Sequence, residues 1–140
     1  MSDVRCRTSD NAIVSYRSRI VNYDSEDVSA ITEAILSLRP DSKGAHVLAW
    51  GVADIAKEHH DPALGKVLRW GYENTPCGNC RWRCLVQLDA IGQLKGTLLR
   101  ECQYDSDEEI RQLAEKRLAV TSALDNEVQN ARVRQVGRRA

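Results

Sequence analysis

The chain has 140 residues, with 20 lysines and arginines against 20 aspartates and glutamates. The zero formal charge gives no support to a bulk nucleic-acid or anionic-membrane partner, and the length suits one domain with a single core. No apolar run approaches the roughly 18 residues of a membrane span, and the first residues lack the apolar core of a signal peptide. We therefore expect a cytoplasmic protein that keeps its five cysteines reduced.

The composition and the spacing of the apolar residues predict an all-helical fold. Leu, Ala, Arg and Glu are frequent and phenylalanine is absent, while apolar residues recur at the three- and four-residue spacing of amphipathic helices. We expect residues 1–11 to be flexible and 12–21 to form a helix. The next predicted helix spans 25–38, where Ser25 provides the N-cap. Arg39–Pro40 ends it, because the residue before a proline avoids the helical region.

Further amphipathic helices joined by tight turns are predicted along the rest of the chain. Asp61–Pro62 and Thr75–Pro76 each have the pattern of an N-cap followed by proline at the first helical position. Ser106 or Asp107 is expected to cap a later helix, and Gly92 to end an earlier one. The predicted segments are 42–60, 61–74, 75–91, 94–104 and 106–124, followed by a frayed or extended helical basic tail over 125–140.

Long–short helix pairs begin near Ser42, Thr75 and Ser106, which is a spacing of 33 and then 31 residues. A single pair of this kind cannot bury its apolar faces alone. Stacking one pair on the next is therefore expected to give a continuous core.

The stretch YDSDEEIRQLAEKRLA, Tyr104 to Ala119, resembles the first helix of a HEAT repeat, especially the HEAT-like type that also occurs in phycobilisome lyases. That pattern places an aspartate in the turn between repeats and an arginine six residues later, which here are Asp105 and Arg111. The resemblance implies an inter-repeat ladder, in which the arginine reaches the aspartate of a neighbouring repeat. Upstream, only one residue of the pattern remains in each repeat, Arg81 in one and Asp41 in the other.

The resemblance, which covers about 41–120, implies a right-handed α-α superhelix of two to three HEAT-like hairpins with N-terminal capping helices. This repeat domain would span 12–124, and armadillo-type helix pairs stay an alternative. The block PCGNCR…EC.YDS…R is also similar to HEAT-like modules attached to larger bacterial proteins.

The function implied is that of a non-catalytic protein-interaction or scaffold module, with no cofactor. No nucleophile motif, phosphate-binding loop or H-E-x-x-H motif is present, so we predict that the chain is not an enzyme. The predicted partner-binding surface combines tryptophan and arginine, which dominate binding hot spots. Its residues are Arg81, Trp82, Arg83 and Arg111. The basic tail would be an accessory to this surface. A nucleic-acid-binding helical repeat is the alternative, while the identity of the protein partner and the oligomeric state stay open.

The stretch TPCGNCRWRC places three cysteines within ten residues. Helical spacing puts them on one face, and we interpret them as buried thiols, because free cysteine behaves as a small hydrophobe. The alternative is a thiol–metal site for zinc or an iron–sulfur cluster. Its ligands would be Cys77, Cys80, Cys84 and Cys102. If Pro76 is the first helical residue, Cys77 lies inside the helix about 10 Å from Cys84, too far to share an ion.

Two further possibilities concern reactive side chains. A redox-active thiol at Cys77 or Cys80 is possible, because a helix N-terminus lowers a thiol pKa. His59 and His60 are expected near a helix C-terminus, where histidine suits the dipole. No role is assigned to His46.

Overall fold

The computed structural model describes residues 22–40 and 42–138, and in this part of the chain all regular structure is helical. The predicted all-α fold class is therefore confirmed. The helices are α1 (Asp27–Leu36), α2 (Lys43–His59), α3 (Gly65–Asn74), α4 (Gly78–Ala90), α5 (Gly96–Glu101) and α6 (Glu108–Gly137), with 3₁₀ turns at Pro62–Leu64 and Cys102–Tyr104. The segments predicted over 1–11 and 12–21, together with Asp41, lie outside the described residues.

The chain divides into two compact units, with the boundary between Leu94 and Lys95. The first unit contains α1 to α4, and the second contains α5 and α6. The boundary falls within the second predicted helix pair, so α4 and α5 belong to different units.

In the first unit, α2, α3 and α4 pack against one another, and α1 packs against α3. The predicted apolar faces of α2 and α3 are buried. The core side chains include Leu48, Val52, Ile55, Leu64, Leu68, Leu85 and Leu88. Gly71 of α3 lies against both α2 and α4. A Cβ atom there would lie 2.7 Å from the Cys84 sulfur and 3.4 Å from the Ala49 Cβ.

The connection between α2 and α3 follows the predicted capping pattern. The Asp61 carboxylate accepts a hydrogen bond from the Ala63 N–H at 2.8 Å, and Pro62 is the first residue of the 3₁₀ turn. His59 is the last residue of α2, and His60 follows it in the left-handed region at φ 50°. Both histidines therefore lie at the helix C-terminus as expected.

Two predicted N-caps are wrong. The Thr75 hydroxyl donates to the Gly71 carbonyl at 2.6 Å and so satisfies the end of α3 instead of starting α4. As a result α4 begins only at Gly78, and Cys77 is its N-cap. Helix α1 likewise begins after Glu26 rather than at Ser25.

The second unit is built from α5, the following 3₁₀ turn and the first turns of α6, which pack together. Its buried side chains are Leu98, Leu99, Cys102, Asp105, Ile110 and Ala114. Asp107 caps α6, accepting hydrogen bonds from the N–H groups of Glu109 and Ile110. The helix then continues to Gly137 through most of the segment predicted as a basic tail. None of the described helices combines the length and apolar character that a bilayer span requires.

Candidate functional site

The N-terminal end of α4 presents two thiols in different environments. Cys77 is half-buried and extended, with φ −73° and ψ 114°, so it lies outside the helix. The backbone N–H groups of Cys80 and Asn79 donate to its sulfur and hold the pKa of Cys77 below its usual value. The prediction that Cys77 lies inside the helix is wrong, because Thr75 and Pro76 belong to the preceding connection.

Cys80 is fully buried one turn further along. Its sulfur lies 3.1 Å from Nδ1 of His46, at the start of α2. Burial raises the pKa of Cys80 to about 12, and its hydrogen bond with Cys77 acts in the same direction. A hydrogen bond with the side chain of Trp50 acts in the opposite direction. The neutral thiol is therefore the stable form of Cys80 at neutral pH in this environment.

His46, Cys77 and Cys80 together form a thiol–imidazole cluster. One nitrogen and two sulfur atoms lie within 4.8 Å of one another. The three side chains run from exposed His46 through half-buried Cys77 to buried Cys80. Sequence reasoning missed His46, because it is separated from Cys80 by 34 positions and only the packing of α2 against α4 brings them together.

The other cysteines have different surroundings. Cys84 is fully buried, and its thiol faces the Ala49 carbonyl at 3.8 Å. Burial raises the pKa of Cys84 to about 12. Cys102 is buried in the second unit. Of the four thiols in the predicted metal alternative, only Cys77 and Cys80 belong to the cluster.

An aromatic and charged row lies next to the cluster on α2. His46, Trp50 and Asp54 follow one another at four-residue spacing, and the His46 and Trp50 rings stack with centroids 6.4 Å apart. The Arg83 guanidinium lies 3.9 Å from the Trp50 ring centroid and donates to the Asp54 carboxylate at 2.7 Å. The charge of Arg83 is therefore already paired within the first unit.

The residues predicted to bind a partner also make contacts within the chain. Arg81 lies 5.2 Å from the centroid of the Tyr72 ring, and Trp82 is half-buried. Arg111 belongs to the second unit, while Arg81, Trp82 and Arg83 are consecutive residues of α4 in the first.

The predicted ladder residues meet within a single turn. Arg111 donates to the backbone carbonyls of Asp105 and Ser106 at 2.7 and 3.0 Å. The Asp105 carboxylate accepts from the Asp107 N–H at 2.9 Å. The contact observed between Asp105 and Arg111 therefore orders the turn before α6, and the pairing of Arg111 with a neighbouring repeat stays a prediction.

The distal half of α6 carries an exposed apolar row. All residues from 119 to 138 are exposed, including Val120, Leu124 and Val128. At 100° per residue these three lie within an arc of about 80°, and Ala131 falls inside that arc, whereas the exposed Val133 and Val136 lie on the opposite side of the helix. We call Val120, Leu124, Val128 and Ala131 the α6 stripe. Buried Ile110 lies on the same side of the helix, so the stripe continues a face that packs in the first turns.

Comparisons with protein-family models, curated proteins and solved structures gave no match. The resemblance to HEAT-like repeats therefore rests on the sequence pattern around Asp105 and Arg111.

Proposed function

We propose that the chain is a non-catalytic protein-interaction module built from HEAT-like helical hairpins. In this proposal the hairpins stack as a right-handed superhelix, and the partner is another protein that presents an apolar helix face. Short connections between helices and the mutual packing of α2, α3 and α4 support the hairpin arrangement.

The observation that carries the proposal is the α6 stripe. It extends over about 16 Å of helix axis from Val120 to Ala131, at 1.5 Å per residue. Leu124 exposes 57% and Val128 53% of its surface. Apolar side chains aligned on one helical face are the usual anchors of helix-in-groove and helix–helix recognition. Single exposed aliphatic residues scattered over a surface are normal, whereas several on the same helix face suggest a binding surface.

The experiment compares capture by the purified full chain with capture by two charge variants. Leu124→Glu/Val128→Glu places two carboxylates on the stripe, and Ser122→Glu/Gln129→Glu places two on the opposite side of α6. All four positions are exposed, so helical circular dichroism and melting temperature should stay close to wild type for both variants.

The immobilised chains are incubated with an extract of their source cells, and bound proteins are quantified by mass spectrometry. We expect a partner retained by wild type and by the opposite-side variant to be lost with Leu124→Glu/Val128→Glu. Light scattering after size exclusion tests whether the partner is a second copy. Equal recovery with all three chains would contradict the role of the stripe.

The residues predicted as the binding surface enter the same assay. Trp82→Ala is expected to weaken capture while the melting temperature changes little, because Trp82 is only half-buried. A large fall in melting temperature would instead identify Trp82 as part of the core of the first unit.

A further inference from the structure

The proposed interaction function gives no role to the thiol–imidazole cluster of His46, Cys77 and Cys80. Two sulfur atoms and one imidazole nitrogen converge from the N-terminal ends of α2 and α4, and the cluster reaches the surface at His46. We propose that His46, Cys77 and Cys80 bind one zinc ion, with the fourth coordination position taken by solvent.

The ligand atoms are close to the spacing that zinc requires. Bonds of about 2.3 Å to sulfur and 2.0–2.1 Å to nitrogen at tetrahedral angles place ligand atoms roughly 3.5–3.8 Å apart. In the cluster the Cys80 sulfur lies 3.1 Å from His46 Nδ1, and no pair exceeds 4.8 Å. Because Cys77 is extended and His46 is exposed, both side chains can make the small adjustment without moving the core.

Each of the two sulfurs has a hydrogen-bond partner that favours its thiolate, but burial outweighs this effect at Cys80 and keeps that thiol protonated in the metal-free protein. Two backbone N–H groups donate to Cys77, and the Trp50 side chain bonds to Cys80. Hydrogen bonds of this kind from outside the ligand set orient and stabilise metal ligands. A coordinating thiol is deprotonated by the metal itself, so a zinc ion displaces the proton that burial keeps on Cys80. The released thiol protons pass to solvent as the two Zn–S bonds form.

The donor set selects the metal and balances its charge. Sulfur and imidazole donors suit zinc, whereas calcium and magnesium require oxygen ligands. Two thiolates neutralise the divalent cation, and the nearby Arg83 is already paired with Asp54. Among the described residues, the cluster contains three ligands, and closed structural zinc sites have four. A three-ligand site at the surface leaves one position for water.

The test measures binding of zinc, and of cobalt as its spectroscopic substitute, to the reduced full chain. Purified protein is stripped of metal and titrated against a chromophoric zinc chelator, and cobalt is added in a parallel titration. We expect one zinc per chain, and cobalt absorption with sulfur-to-metal charge transfer and tetrahedral ligand-field bands. Saturating zinc should also raise the melting temperature, since folding brings His46 to the two cysteines and the folded cluster therefore binds zinc more tightly than the unfolded chain does.

Three ligand variants and one matched control locate the site. Cys77→Ser, Cys80→Ser and His46→Gln should each weaken zinc binding by at least about 100-fold, since loss of a partner outside the ligand set already costs 10–100-fold. Cys84→Ala removes a thiol one turn away and should bind zinc as wild type does.

Because Cys80 is buried, the zinc affinity of Cys80→Ser is interpreted only if circular dichroism shows that the variant is folded. The variants of half-buried Cys77 and exposed His46 are expected to fold, so their zinc affinities test the proposal in either case. Failure of wild type to bind a stoichiometric zinc ion would overturn the proposal. So would unchanged affinity in both Cys77→Ser and His46→Gln, or loss of binding in Cys84→Ala alone.

Discussion

Helices α4 and α6 each carry an apolar face that begins in the core, and the two faces have different environments. On α4 the face is buried from Cys80 through Cys84 to Leu88. On α6 it is buried at Ile110 and Ala114 and is exposed from residue 119 onward. Apolar spacing therefore identifies which side of a helix packs, but it does not say how much of that side the chain itself covers. The uncovered part is where a binding surface is to be sought.

Paired leucine substitutions test this difference most strongly. Leu85 on α4 is fully buried and Leu124 on α6 is 57% exposed. Leu85→Ala should lower the free energy of unfolding by about 2–5 kcal/mol, because it leaves a cavity. Leu124→Ala should change it by no more than about 0.5 kcal/mol. Urea unfolding followed by circular dichroism measures both.

All three tryptophans lie in the first unit, so their fluorescence reports separately on the unit that contains Leu85. If both substitutions lowered the free energy of unfolding by similar amounts, the two helical faces would be equally packed. That result would contradict the difference between α4 and α6.

A smaller effect is expected where α4 approaches α3. A Cβ at Gly71 would meet the Cys84 sulfur at 2.7 Å, so Gly71→Ala should cost about 1–3 kcal/mol through overpacking. In a Cys84→Ala background the sulfur is gone and the cost should fall, which a double-mutant cycle measures.

Gly137→Ala serves as the control for the glycine replacement, since among the described residues beyond its own helical turn a Cβ there meets no atom within 4 Å. Its stability should match or slightly exceed that of wild type. An additive cycle, with no coupling between Gly71 and Cys84, would contradict the close packing of α3 on α4.

Features that depend on neighbouring residues in the sequence could be predicted, whereas features that depend on contacts between distant residues could not. The all-helical class and the caps at Asp61 and Asp107 follow from local spacing and capping chemistry, and both were predictable. Thr75 fits an N-cap pattern equally well, but its hydroxyl instead satisfies a carbonyl of the preceding helix. As a result α4 begins at Gly78, later than predicted, and Cys77 lies before the helix and not within it.

The candidate metal site could be predicted only in part, for the same reason. The C-x-x-C spacing identifies Cys77 and Cys80 as a possible ligand pair. His46 has no local signal, and it becomes a neighbour only when α2 packs on α4. The α6 stripe was also missed, because the apolar residues of the distal helix are too sparse to predict firm packing and their exposure depends on the tertiary structure.

The smallest effect concerns a polar contact on the first unit. The Tyr23 hydroxyl donates to the Asp61 carboxylate at 2.7 Å, and this bond lowers the pKa of Asp61. A carboxyl whose pKa is lowered by folding stabilises the protein above its unfolded pKa of about 3.9. That stability is lost as the pH falls through the lowered folded value.

Tyr23→Phe removes the hydroxyl donor, so the variant should lose less melting temperature than wild type between about pH 5 and pH 2. Tyr104→Phe is the control, because Tyr104 is 87% exposed. A pH profile for Tyr23→Phe that parallels wild type would show that the hydrogen bond does not contribute to acid stability.

Hydrogen exchange of the free, dilute protein compares the two helices most directly. Amides of α4 should exchange slowly, because their release requires opening of the packed first unit. Amides from 119 to 137 should exchange quickly, because among the described residues nothing packs on this segment to hold it helical. Protection of the α6 stripe as strong as that of α4 would contradict the account, since it would mean that the stripe is already covered and is not available to a partner.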